Sequence, residues 1–180
     1  SASAASTVSG AVVITSSSSV GSNFGSINLS GTVNLPAGIS AVRDMSLTKT
    51  GSNTVSLSGT NFDGTGSDFT FYSGNTILSD GFFSLNNAQA INIDRVLKPS
   101  IQFNGGTLQF TSNNIRDYSS VFSSAVNQAY SIDTNGQNVT LASALTSSGG
   151  NLTKLGSGIL TLSSSNTYTG LTTVSGGTLA

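Results

Sequence analysis

The sequence predicts an all-β chain wound as a parallel β-helix, or β-solenoid. Three observations carry the prediction. The chain repeats itself: Leu47 to Asn61 reads LTKTGSNTVSLSGTN and Leu152 to Asn166 reads LTKLGSGILTLSSSN, an offset of 152 − 47 = 105 with eight of fifteen positions identical. Val, Ile, Leu and Phe alternate with small polar residues at period two, the strand signal. Turn signals such as Ser73-Gly74 and Asn135-Gly136 recur, at intervals of roughly 8 to 12 residues. That spacing alone also suits a β-sandwich, the alternative fold. The repeat favours the solenoid, because each of its coils covers its apolar face by stacking on the next. At roughly 20 to 25 residues per coil, residues 1–180 make one domain of about seven to nine coils, with repeat copies at about 45–78 and 149–180.

The elements follow in order. Strands are expected at Ala11–Thr15, Ser26–Leu29 and Thr32–Leu35, the last running into the turn Pro36-Ala37-Gly38. The first repeat copy supplies Thr54–Ser58 and then the turn Asn61-Phe62-Asp63-Gly64. Asp68–Tyr72, Asn75–Leu78, Ala90–Ile93, Ser100–Phe103 and Thr107–Phe110 continue the pattern. Pro99 stands just outside a strand, where its missing N–H is tolerated. Gln137–Leu141, Gly158–Leu162, Leu171–Val174 and Thr178–Ala180 complete the series. Inward positions such as Val55/Leu57 and Leu160/Leu162 should stack as aliphatic ladders about 4.8 Å apart. Asn and Gly should gather at corners that need left-handed backbone. One stretch departs from the pattern. Ile115, Tyr118, Phe122, Ala125 and Ala129 share a helical face, and Asn113 or Asn114 is placed to cap it. Ser119, Ser120, Ser123 and Ser124 are mediocre helix formers. The region 115–129 is therefore expected as a short helix or an irregular flap on the side of the solenoid.

Composition excludes several kinds of chemistry. The chain has no Cys, His or Trp, so thiolate catalysis, disulfides and the commonest general base and metal ligand are absent. Charged residues are 7% and the formal net charge is −1. With no cluster of Lys and Arg to displace counterions, nucleic acid is not an expected partner. Apolar residues are nonetheless 36%, which is too many for a disordered chain. No run is long and apolar enough for a membrane-spanning helix. The opening SASAAS is compatible with a mature end left by signal cleavage or with an arbitrary boundary.

The C-terminal third carries a more specific pattern. Gly149, Gly150, Leu152, Thr153, Lys154, Gly156, Gly158, Leu160, Leu162, Asn166, Thr167, Tyr168, Gly170, Thr172, Val174, Gly177, Thr178 and Leu179 fall in the order of one repeat. This resembles the autotransporter-associated β-strand repeat. The copy from Leu47 is degenerate, with Asn61-Phe62-Asp63 where the pattern has Asn-Thr-Tyr. The resemblance implies a right-handed β-helix in the passenger of a Gram-negative surface or secreted protein. It also implies that the repeat aids folding outside the cell and carries no catalytic residues.

Each candidate for chemistry has a plain reading beside it. Lys49 and Lys154 occupy the same repeat slot. They read as solvated charges at a coil edge that discourage wrong strand pairing, or, less plainly, as a cation row for an acidic glycan. Asp63, Gly64, Gly66 and Asp68 suggest a calcium turn. That motif works in stacked arrays and occurs once here, so a plain turn is the better reading. Arg43-Asp44, Asp94-Arg95 and Arg116-Asp117 are adjacent opposite charges, whose side chains point to opposite faces of a strand. Asn28, Asn138 and Asn151 sit in glycosylation-type triplets, expected by chance in so Asn- and Thr-rich a chain. Tyr72, Tyr118, Tyr130 and Tyr168 offer ring faces for sugars, but core packing is the simpler use. The expectation is a non-enzymatic structural protein with no cofactor and no catalytic residues: a secreted or surface stalk or fibre unit that stacks on copies of itself or on further repeats. A glycan-binding adhesin and, behind it, a polysaccharide-degrading enzyme are the alternatives.

Overall fold

The computed structural model describes residues 6–10, 12–13, 18–21, 26–29, 33–34, 46–50, 54–57, 69–70, 75–78, 82–85 and 100–180. The strands are β1 Ser6–Val8, β2 Val12–Val13, β3 Ser18–Gly21, β4 Ile27–Leu29, β5 Val33–Asn34, β6 Ser46–Thr50, β7 Thr54–Leu57, β8 Phe69–Thr70 and β9 Asn75–Leu78. They continue as β10 Phe82–Leu85, β11 Ser100–Phe103, β12 Thr107–Gln109, β13 Ala129–Asp133, β14 Val139–Leu141, β15 Asn151–Leu155, β16 Ile159–Leu162, β17 Thr172–Val174 and β18 Thr178–Leu179. Turn Pro36-Ala37-Gly38, turn Asn61–Gly64 and strand Ala90–Ile93 lie outside the described residues.

All strand pairing among the described residues is parallel, which sets the β-sandwich aside. One sheet runs the length of the protein in the order β1-β4-β7-β10-β12-β13-β15-β17. Three shorter sheets, β3-β6-β9-β11, β2-β5-β8 and β14-β16-β18, form the other walls. In the long sheet Ser6 pairs with Ile27, Ile27 with Val55 and Leu152 with Thr172. The chain therefore returns to this wall after 27 − 6 = 21, 55 − 27 = 28 and 172 − 152 = 20 residues. Parallel strands require such a crossover, and these three are themselves built of strands in the other walls.

Register threads one position through Ile27, Val55, Phe83, Leu108, Ile132, Lys154 and Val174. Val55, Leu108 and Ile132 have no exposure, the expected apolar ladder. A second ladder of Val139 and Leu160 lines the β14-β16-β18 wall, with Leu141 beside it. Toward the middle the core becomes aromatic. The Phe103 ring meets Phe122 edge-on at 5.0 Å and Tyr130 at 5.5 Å, and Phe110 lies 6.4 Å from Tyr118.

The region 115–129 is mostly irregular. Its helical content is one 3₁₀ turn, Ser119–Val121. The expected helical face is not one face: Tyr118 is buried, while Ile115 is 54% exposed. Phe122 forms a parallel bridge with Ile101, so the segment continues a coil wall instead of lying as an appendage on its side. The competing signal is Asp117, whose carboxylate Oδ1 accepts from the Ser119 N–H at 2.8 Å and the Ser119 hydroxyl at 2.6 Å. Such local bonds draw the backbone out of a helix.

The two repeat copies do not occupy equivalent walls. In the first, β6 belongs to the β3-β6-β9-β11 sheet and β7 to the long sheet; in the second, β15 belongs to the long sheet and β16 to β14-β16-β18. The repeated unit is thus a strand, a corner and a strand, which serves at more than one corner of the solenoid.

Candidate functional site

Among the described residues from 100 onward, polar side chains act at the corners, where they tie one coil to the next. Asn166 Oδ1 accepts from the Leu145 N–H at 2.8 Å, and its amide donates to the Ser164 carbonyl at 2.9 Å. Asn151 Oδ1 accepts from the Leu171 N–H at 2.8 Å, and Asn138 Oδ1 from the Ile159 N–H at 3.1 Å. Gln128 Oε1 accepts from Phe103 N–H at 2.9 Å, while its own N–H donates to Ser147 Oγ at 3.0 Å. Asp117 Oδ2 accepts from the Ala142 N–H at 2.9 Å. Backbone groups at a corner cannot all join a sheet ladder, and these side chains take up the remainder.

The most unusual of these corners surrounds Lys154, which has no exposed surface. This corrects the expectation of a solvated charge at the coil edge. In β15 the alternation runs Leu152 inward, Thr153 outward, Lys154 inward, so Lys154 stands in an apolar ladder directly beside Ile132. Its three ammonium N–H groups are shared among four acceptors, Thr134 Oγ1 at 2.8 Å, the Leu155 carbonyl at 2.7 Å, the Gly156 carbonyl at 2.7 Å and the Gly176 carbonyl at 3.1 Å. The partners come from three successive coils: Thr134 precedes, Leu155 and Gly156 share the lysine's own coil, and Gly176 follows. Thr134 is itself buried, and its hydroxyl donates to the Ser157 carbonyl at 2.7 Å. Desolvating an ammonium costs several kcal/mol. Charge-assisted bonds of about 1.5–3 kcal/mol each offset that cost only when the whole cage is in place. Burial pushes the Lys154 ammonium below its ordinary range, and the nearby Asp133 carboxylate pulls it part of the way back.

Glycine makes room for the cage. Gly177 has φ +65°, and a Cβ there would lie 2.8 Å from the Gly156 carbonyl oxygen and 2.9 Å from the lysine nitrogen. The spacing Lys-x-Gly therefore encodes an inward ammonium followed by a left-handed bend whose carbonyls turn toward it. The parity of Leu152 and Lys154 was the available sign. A charged residue at an apolar position masks β15 as a strand, and β15 lies outside the strands that alternation predicts, as do β1, β3, β6, β10 and β13. Lys49 shares a register position with Val20, Leu78 and the buried Phe103.

Asp63, Gly64, Gly66 and Asp68 lie outside the described residues, as do Arg43-Asp44, Asp94-Arg95 and Tyr72. Among the described residues no group of three or more His, Cys, Asp or Glu side chains is placed to hold a metal ion. No helix among them is long and apolar enough to cross a membrane. Tyr118 and Tyr130 are core residues, and Tyr168 is half-buried with its hydroxyl 2.6 Å from Thr172 Oγ1.

The left-handed Gly156, Gly158 and Gly177, the inward lysine and the Asn166 clip all fall within one short stretch. Residues 152–180 match the passenger-associated-transport-repeat. No curated protein and no solved structure matches the chain. The matched residues run from β15 to β18. Together with the solenoid fold, the repeat fits a passenger-type structural module of the autotransporter kind.

Proposed function

We propose that this chain is a non-enzymatic stalk or fibre unit, displayed on or secreted from a Gram-negative bacterium. The observation that supports this reading is the unbroken parallel sheet from β1 to β17, with side chains at its C-terminal corners committed to tying coil to coil. Backbone bonds then run along the long axis and resist extension together, with little need of charge or disulfides. The β17 edge away from β15 has no partner among the described strands. The same pairing suits it to a further coil, whether of a continuing chain or of a second copy.

Small-angle scattering and electron micrographs of the purified chain test the reading. A rod lengthening by about 4.8 Å per coil is expected, with end-to-end filaments at high concentration if copies stack. A compact, non-elongated particle refutes the stalk. A purely monomeric rod removes self-assembly and leaves the spacer. Binding on a glycan array that Tyr168→Ala abolishes would favour the adhesin instead.

A further inference from the structure

The strand that closes the final coil carries little information about its own register. It reads Leu171-Thr172-Thr173-Val174-Ser175, and the structure sets Thr172 beside Leu152, Thr173 beside Thr153 and Val174 beside Lys154. A slip of one residue would exchange its faces, so the competitor is a slip of two. That slip would set Val174 beside Leu152. Leu152 has no exposure, and an aliphatic neighbour suits it at least as well as Thr172 does. Neither the hydrophobic pattern nor the backbone ladder therefore selects the observed pairing.

Contacts at both ends of the strand distinguish the registers, among them the Gly170 N–H to the Gly150 carbonyl at 2.8 Å before it and Leu179 beside Leu160 after it. Asn151 Oδ1 holds the Leu171 N–H at the start of the strand, and the Lys154 ammonium holds the Gly176 carbonyl beyond its end. A slip of two carries Gly176 about 6.6 Å along the strand, out of reach of the ammonium. It also moves the left-handed Gly177 away from the corner it fits, against the carbonyl of Gly156. We propose that Lys154 specifies register at the C-terminal end of this strand: a buried cation whose cage closes in one alignment only, while Asn151 holds the opposite end. An apolar residue of similar length would fill the space without making that choice. A single buried polar group plays this part in coiled coils.

The absence of cysteine from the sequence allows a direct test. Thr153 and Thr173 are aligned neighbours on the outward face. Ser175 lies two residues further on, beyond the roughly 7 Å Cα separation a disulfide tolerates. The pairs T153C/T173C and T153C/S175C are made with Lys154 intact and with Lys154→Met, then oxidised, digested and read by mass spectrometry. With the lysine, only the 153–173 disulfide is expected; with methionine, the 153–175 disulfide should appear as well. A K154M protein that is folded by circular dichroism and forms 153–175 no more than its parent overturns the proposal. If K154M does not fold, Lys154→Gln, with a shorter neutral donor, carries the same comparison, and the lack of the off-register disulfide there overturns it equally.

Discussion

Replacing Gly158 by alanine should destabilise the C-terminal coils far more than the same change at Gly136, although both glycines are left-handed. Gly158 has φ +95° and Gly136 has φ +84°. Each substitution therefore incurs about 1–2 kcal/mol for a Cβ in left-handed backbone, less about 0.4–1 kcal/mol from the stiffer unfolded chain. Their surroundings differ. At Gly136 the nearest atom to a new Cβ is Ser157 Oγ at 3.7 Å, an ordinary contact. At Gly158 the Cβ would lie 2.9 Å from both the nitrogen and the carbonyl carbon of Gln137 and press on that residue's oxygen. Gln137 is backbone of the preceding coil, so the two coils must separate. That strains the Ile159 bond to Asn138 at 3.1 Å and the Gly136 and Thr134 bonds to the Ser157 carbonyl at 2.8 and 2.7 Å. At about 1 kcal/mol per bond, three strained bonds bring Gly158→Ala to roughly 3–5 kcal/mol against about 1 kcal/mol for Gly136→Ala. Urea unfolding followed by circular dichroism, with hydrogen exchange at 137–162 to localise the loss, measures both. Equal effects at the two glycines would refute the claim that coil-to-coil contact at this corner limits stability.

Leu160→Ala removes a side chain with no exposure from the ladder beside Val139 and should lower stability by about 2–5 kcal/mol in the same assay, whereas Leu171→Ser, at 77% exposure, should change it little. Asn166→Ala should cost about 1–2 kcal/mol, with faster exchange of the Leu145 amide, which loses its acceptor. Alkaline pH separates Lys154 from Tyr130. Because the lysine's folded value lies below its ordinary 10.5, the unfolded chain holds the extra proton in that interval, so this group makes stability rise with pH up to about 10.5 and leaves its full penalty at lower pH. Burial raises Tyr130 above 10.0, so its contribution falls with pH over the range just above that value. Subtracting the K154M stability curve from the wild-type curve should leave the rising component alone; a flat difference contradicts the assignment.

Strands β16 to β18 of the C-terminal repeat were legible because Leu160 and Leu162 alternate with Gly and Thr and because Gly and Asn punctuate them. Ser100–Phe103 and Asn75–Leu78 appear with the bounds alternation predicts. The segment 115–129 misled because spacings of three and four residues imitate a helix. There Asp117 and Ser119 bond locally, and the aromatic rings answer to neighbouring coils. The inward lysine was hidden for a related reason. Burial of a charge is credible only when its acceptors are known, and two of the four that hold Lys154 stand at Thr134 and Gly176, a coil away on either side.

Taken alone, the sequence determined that strands would stack in a repeating, parallel manner: period two, a duplicated strand-corner-strand unit and corner glycines are local properties of the chain. Tertiary structure decided which wall each copy joins, and that Lys154 lies inside. Both depend on what the coils above and below present, and parity within one strand states which face a residue takes without stating what waits there.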